Sequence, residues 1–338
     1  MNAPTPLAMT PESLSPRFIN LAPTLGSQGP ASVVEELTAG LLQAQASVSP
    51  KYFYNALGSK LFEAITALDE YYPTRVEAAI FESAHGEMAA ALQQRGIHKP
   101  CLIDLGAGNC AKAAYLIPHL LPNQYVPIDI SVDFLRGAVG QLQKTFPALS
   151  IVGLGMDFSS GLELPQEVQL EDRVFFYPGS SLGNFHPAQA LEFLQHIADP
   201  AQGKARGLLL GVDLVKDSAT LEAAYDDALG VTAAFNKNML LNLNSLIGSD
   251  FQVRQWRHVA LFDGQRARIE MHMEACCDLN VRWPGHERHF AAGERIHTES
   301  SYKYTCEGMT DLLRQAGFRH IEHWTDAQGW FGVFWAAV

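Results

Sequence analysis

Apolar positions along the chain change their spacing three times, and each change marks a different kind of structure. In residues 31–47, Val33, Val34, Leu37, Leu41 and Leu42 form one stripe, the 3.6-residue spacing of an amphipathic helix. Further helices are predicted over residues 60–68, after the turn at Gly58-Ser59, and over 74–94, rich in Ala, Glu and Met. Short apolar runs then take over at 101–105, 125–129, 150–154, 173–177 and 207–213. Helical material fills the gaps between them, so strand follows helix follows strand. That alternation predicts a parallel, doubly wound sheet whose strands are covered on both faces.

Beyond Asp213 the pattern shifts again. Residues 218–248 read as helical, and 253–275 contain strict alternation, as in Arg268-Ile-Glu-Met-His-Met-Glu274. Alternation suits half-buried antiparallel strands, so an insertion or second domain is predicted here. The tail returns to the first pattern. Residues 310–316 are helical, Gly317 stops the helix, and strands at 318–324 and 330–336 are joined through Asp326-Ala-Gln-Gly329. No internal repeat is visible.

Composition narrows the class. The 338 residues leave room for one large or two ordinary domains. With 24 basic and 36 acidic residues the net charge is −12, which argues against nucleic acid or an anionic membrane as the main partner. No apolar run approaches the ~18 residues of a membrane span. The first sixteen residues lack the order of a signal peptide, and residues 1–30, rich in Pro, Ser and Thr near the start, are expected to be loosely ordered. The five cysteines contain no CxxC pair, and the adjacent Cys276 and Cys277 suit a structural zinc site poorly. The 12 histidines show no HxxxH or HExxH spacing, so no metal is expected. The expectation is a reduced, cytoplasmic protein.

Candidate chemistry centres on one turn. Gly106-Ala-Gly108 follows the first predicted strand at once, and Asp129 lies 23 residues beyond Gly106 at the end of the next strand. Glycines let backbone approach a ligand, and an acid at that strand end takes ribose hydroxyls: this is how an α/β sheet holds an adenosine. The turn alone fits NAD as well, because Gly106-Ala-Gly-Asn-Cys-Ala111 satisfies G-x-G-x-x-A. Asp104 before the turn, Asp157 and Phe158 after the third strand, and the terminal hairpin favour S-adenosylmethionine. Asp157 offers a carboxylate to an adenine amino group, and Phe158 offers a ring to pack on the base. The bland alternative is that Asp129 and Asp157 merely cap helices.

Motifs outside this core carry a resemblance. They are Pro50-Lys-Tyr-Phe-Tyr-Asn-Ala-Leu-Gly-Ser-Lys-Leu-Phe62, Glu70-Tyr-Tyr-Pro-Thr-Arg75, Gly179-Ser-Ser-Leu-Gly-Asn184, Asp213-Leu-Val-Lys-Asp217 and Ala224-Tyr-Asp-Asp227. Gly230-Val-Thr-Ala-Ala-Phe-Asn236, Arg268-Ile-Glu-Met271 and Thr298-Glu-Ser-Ser301 complete the set. From about residue 50 onward the chain resembles the histidine Nα-methyltransferases of ergothioneine biosynthesis. The resemblance implies a class I methyltransferase sheet, Rossmann-like and mostly parallel with its last strand antiparallel, plus a second α+β substrate-binding domain. Its implied division is 31–74 plus 216–301 for substrate and 75–215 plus 302–338 for the methyltransferase core. The chain is expected to act as a monomer on a small amino acid.

The resemblance also implies roles. Tyr54, Gly106, Lys112, Asp129, Asp157 and Phe158 would hold S-adenosylmethionine. Tyr71, Gly179, Asn184, Tyr225 and Thr232 would hold the amino and carboxylate ends of L-histidine. Glu299 and Ser301 would meet the imidazole, with Met271 lining the side-chain pocket, and Tyr54 and Tyr71 would serve the chemistry. Without the resemblance, Tyr71 reads equally as an interface aromatic, Glu299 as a solvated strand residue, Met271 as core and Lys112 as helix surface. Three departures stand out: Asp104-Leu-Gly-Ala-Gly108 for the family's frequent Glu-Leu-Gly-Ser-Gly, Tyr302-Lys-Tyr304 for Cys-Lys-Phe, and Ser300 for an apolar residue. Residue 300 is expected to point away from Glu299 and Ser301. The competing readings are methyl transfer to tryptophan or tyrosine, a nicotinamide-dependent dehydrogenase, and a non-catalytic sensor.

Overall fold

Short runs that are apolar on both faces become strands sandwiched between helices. The computed structural model describes residues 14–21, 30–159, 161–201 and 203–338. Chain order begins with β1 (Arg17–Asn20), α1 (Pro30–Leu41), α2 (Ala56–Ile65) and α3 (Tyr72–Gln94). The core alternation follows: β2 (Cys101–Leu105), α4 (Ala111–Leu120), β3 (Gln124–Asp129), α5 (Val132–Thr145) and β4 (Ser150–Gly155). It continues through β5 (Arg173–Tyr177), α6 (Pro187–Ala198) and β6 (Ala205–Asp213). Next come α7 (Ser218–Ala223), α8 (Val231–Ile247), β7 (Trp256–Asp263), β8 (Arg268–Ala275), β9 (Leu279–Trp283), β10 (His286–Phe290) and β11 (Arg295–Tyr302). The chain closes with α9 (Cys306–Ala316), β12 (His320–Thr325) and β13 (Phe331–Ala337).

The large sheet has the order β1-β4-β3-β2-β5-β6-β13-β12. Neighbours from β1 to β6 pair parallel, whereas β13 runs antiparallel to both β6 and β12. A mostly parallel sheet with its last strand reversed is the arrangement expected of a class I methyltransferase. Alternate residues feed two cores, one per face. Ile103, Val126, Phe175 and Leu208 face α6 and α9, while Leu102, Tyr125, Val174 and Leu209 face α3, α4 and α5.

A third core gathers Leu37, Phe53, Phe235, Met239, Trp256, Met273 and Trp283. It lies among α1, α2, α8, the β11-β8-β7 sheet and the β9–β10 hairpin, and forms the second, α+β domain. The insertion leaves after β6 and returns just before α9. Its two ends are stitched together beside the carboxyl end of β6, where Tyr304 N donates to Asp213 O (3.1 Å) and Val215 N to Tyr304 O (2.9 Å). Its side chains are thereby held over the carboxyl ends of the strands, where ligands bind in open α/β sheets.

Several boundaries differ from expectation. The helix predicted over 31–47 stops at Leu41, because the chain that follows pairs with β11: Val48 N donates to His297 O (2.9 Å) and His297 N to Ala46 O (2.8 Å). The helix predicted from 60 starts at Ala56, where Asn55 Oδ1 caps Gly58 N (2.8 Å). The single helix predicted over 218–248 is two, because Asp227 starts a new one by accepting from Val231 N (2.9 Å) and Thr232 N (2.7 Å). Within the expected loose N-terminus, Arg17–Asn20 adds a parallel edge strand to β4; residues 1–13 and 22–29 lie outside the described ones. Among the described residues no helix is long and apolar enough to cross a membrane.

Candidate active site

The glycine turn is built by backbone. Gly106 (φ +71°) and Gly108 (φ +53°) take a left-handed conformation that costs a side-chain-bearing residue, and a Cβ added at either would meet nothing within 4 Å. Open space therefore lies over the turn. Asp129, at the end of β3, braces it: its carboxylate accepts from Gly108 N (2.9 Å) and Ser131 N (2.8 Å). Burial raises the Asp129 pKa and these backbone bonds pull it back. The capping reading and the ligand reading therefore coexist, because each oxygen keeps room for a further donor. Ser131 Oγ also donates to Tyr54 O (3.0 Å), tying α2's approach to the same corner.

The other residues expected at the cofactor lie around the same strand ends. Asp104 is buried in β2, accepts from Tyr125 OH (2.6 Å), and is pushed up to about 7 by burial, against that hydrogen bond. Lys112, on α4, pairs with the buried Glu77 of α3 (2.6 Å), and Glu77 also accepts from Gly179 N (2.8 Å). Gly179 takes a left-handed φ of +78° that favours glycine, and a Cβ there would also stand 2.8 Å from Lys112 Nζ, which Glu77 holds in place. Asp157 accepts from Ser159 N (3.0 Å) and Ser159 Oγ, and faces Lys51 Nζ at 3.6 Å. Phe158 packs edge-on against Tyr177, with centroids 5.7 Å apart. An acid-braced glycine turn under open space, a lysine and a carboxylate–aromatic pair fit S-adenosylmethionine.

The second group is assembled from distant segments. Glu299 and Ser301 lie on β11 with Ser300 between them, and Ser300 Oγ meets His297 Nε2 (3.0 Å), as its opposite orientation predicts. Tyr225 OH donates to Ser301 Oγ at 2.8 Å, and the Tyr225 ring packs edge-on to Tyr71 at 6.3 Å. Tyr54 packs against Phe62 and Phe235. Burial first, then the nearby Glu299 and Asp129 carboxylates, raise the Tyr54 pKa, so this one hydroxyl senses both groups of residues. Tyr71 is raised by burial and then by Tyr225, Tyr54 and Glu299. All three tyrosines are therefore neutral phenols.

Glu299 is buried and its carboxylate receives no hydrogen bond from a described residue; burial pushes it up to about 7, against the pull of Lys303. Asn184, half-buried, ends the 3₁₀ turn Ser181–Asn184. That turn abuts β11 so closely that a Cβ on Gly183 would stand 2.7 Å from Tyr302 O. Met271 is Glu299's register partner on β8, and Thr232 is buried in the first turn of α8.

Sequence reasoning missed the charged frame behind these residues. Asp213 accepts from Tyr72 OH at 2.8 and 2.7 Å, pairs with Lys216 at 2.5 Å and with Lys303 at 2.9 Å. Glu77 was missed as well. Asp213 and Lys216 stood inside a recognised motif, but nothing in a linear pattern pairs Asp213 with Lys303, 90 residues on.

Comparison with known proteins now adds the family. A family model described as histidine-specific methyltransferase, SAM-dependent, matches residues 33–338. A Mycolicibacterium smegmatis protein named histidine N-alpha-methyltransferase is 38% identical over 323 residues, covering 93% of this chain and 98% of that one. The Mycobacterium tuberculosis protein of the same name is 35% identical, covering 94% and 99%. The Neurospora crassa ergothioneine biosynthesis protein 1 is 30% identical over 80% of this chain but only 31% of its own length. The reversed-strand sheet, the braced glycine turn and a match running through both domains lead to one assignment: this chain belongs to the S-adenosylmethionine-dependent histidine-specific methyltransferases.

Proposed function

We propose that the protein transfers methyl groups from S-adenosylmethionine to the α-amine of L-histidine, three times over, giving hercynine, the step that opens ergothioneine synthesis. The observation that carries this reading is the pair on β11: a buried, unpaired Glu299 and a Ser301 committed to Tyr225, two residues apart on one face. An imidazole offers one N–H and one bare nitrogen at separate points of its ring, which is what such a pair can satisfy. Indole offers only the N–H. A phenol carries donor and acceptor on one atom and meets one of the two partners. Leaving either buried group unpaired costs on the order of 1–3 kcal/mol, the basis of strong discrimination.

When bound, S-adenosylmethionine supplies an electrophilic methyl carbon; the amine lone pair forms the new C–N bond as the C–S electron pair passes to sulfur, leaving S-adenosylhomocysteine. This chain's residues orient and deprotonate the amine. Tyr71 and Tyr225 orient it through neutral phenols, Asn184 and Gly179 take the carboxylate, and Tyr54 closes the boundary between the two ligands. With their pKa raised, these phenols relay a proton to water rather than act as phenolate bases. Each of the first two products still carries a proton to lose; the third is a quaternary ammonium and stops the sequence. In-line positioning accounts for most of the acceleration. The enzyme is read as a cytoplasmic monomer.

Mass spectrometry of histidine incubated with the protein and S-adenosylmethionine tests the reading. Mono-, di- and trimethylated histidine are expected. Product from tryptophan or tyrosine and none from histidine would overturn it.

A further inference from the structure

Ser301 and Tyr225 share their hydrogen bonds with a third, fully buried group. Lys303 follows β11, and its ammonium is wholly buried. All three of its N–H donors are committed: to Asp213 Oδ2 (2.9 Å), to Tyr225 OH (3.0 Å) and to Ser301 Oγ (2.8 Å). Tyr225 OH donates in turn to Ser301 Oγ (2.8 Å). A serine hydroxyl has two lone pairs and one proton. Both lone pairs of Ser301 are thus occupied, by Lys303 and by Tyr225. What it has left to present is its proton.

Glu299, on the same face of β11, is the opposite case, since an ionised carboxylate can only accept. The charged or titratable groups acting on it are Lys303, Tyr54, Tyr71 and Tyr225. Asp213 keeps the arrangement in place: Tyr72 and Lys216 hold its carboxylate, so the Lys303 ammonium is fixed rather than free to swing. With Glu299 ionised, the site therefore offers one donor and one acceptor, and the buried Lys303 is what fixes Ser301 as the donor.

We propose that Lys303, anchored on Asp213, is a positioning residue that forces Ser301 to donate, so that the Glu299–Ser301 pair accepts the neutral imidazole and rejects the imidazolium. This rests on the reading of Glu299 and Ser301 given above. An imidazolium would bring a second N–H against the Ser301 hydroxyl proton, and no lone pair is there to receive it.

The test uses the full-length protein with S-adenosylhomocysteine and histidine labelled with ¹⁵N in the ring, followed by NMR from acid to mildly alkaline pH. The bound ring should hold one protonated and one bare nitrogen, with its titration midpoint about one pH unit or more below that of free histidine, near 6.5. A bound ring protonated on both nitrogens at or above the free midpoint overturns the proposal. In Lys303→Met, Ser301 regains a lone pair. The bound midpoint should rise back toward the free value, and KM for histidine should rise about tenfold while kcat stays within about threefold. A midpoint unchanged from wild type would remove Lys303 from the account. S-adenosylhomocysteine binding by calorimetry reports whether that variant folds; if it does not, the wild-type midpoint decides. Absence of any methylated histidine would instead sink the function proposed above, whereas methylation with an unshifted midpoint sinks only this inference.

Discussion

The half-buried Asp129 and the buried Glu299 both act on Tyr54, yet they are held in opposite ways. Asp129 is braced before any ligand arrives, by two backbone N–H groups from its own strand end and the glycine turn. Glu299 receives nothing from the described protein and is driven up to about 7 by burial. On the function proposed above, the cofactor corner is locally complete, while the substrate corner is short of one donor that histidine would bring. An unsatisfied buried acceptor is costly, and that cost is what makes the corner selective.

Cutting each carboxylate in turn separates the two corners. Glu299→Ala should lower kcat/KM for histidine on the order of a hundredfold, since a hydrogen bond to a charged group is lost, and leave S-adenosylhomocysteine affinity within about threefold. Steady-state kinetics beside calorimetry would show it; equal losses in both would collapse the distinction. Asp129→Ala should do the reverse through the glycine turn, weakening S-adenosylhomocysteine about thirtyfold by calorimetry.

pH sharpens the comparison further. In the ligand-free protein Glu299 titrates near 7 rather than at its ordinary 4.5. Between those values the native state holds a proton that the unfolded chain has released, so stability should fall as pH rises through that window. Thermal midpoints measured from acid to neutral pH should show wild type losing a few degrees relative to Glu299→Gln, which lacks the titration. Parallel curves would mean that Glu299 is not held against its charge. The smallest effect is expected at Ser300, which points to His297 and away from the pocket. Ser300→Leu should change kcat/KM for histidine by less than about twofold, and a larger shift would mean that the strand face is misassigned.

The strands of the large sheet from β2 to β6, with β12 and β13, were legible to within two residues at each end, because burial on both faces leaves few ways to read a run such as Cys101–Leu105; β1, β9, β10 and β11 had no predicted bounds. Helix ends were not. The apolar stripe runs to Leu42 without a break, and only the pairing of Ala46 and Val48 with His297 ends the helix at Leu41. Likewise 218–248 stays helical in pattern, and the break comes from Asp227 capping the helix that follows it. Tertiary partners won both contests against local propensity.

By itself the sequence determined the reversed-strand α/β sheet, the glycine turn with its acid, and, through the long motifs, the family. These depend on short-range order: a strand, a turn, and an acid one strand on. Only the tertiary structure decided which charges meet. Glu77 pairs with Lys112 across 35 positions, Asp213 with Lys303 across 90, and Lys303 reaches Tyr225 across 78. A side chain shows its chemistry in the sequence but not its partner, because burial and pairing are settled by folding. The direction in which Ser301 points its one proton belongs wholly to that second kind of information.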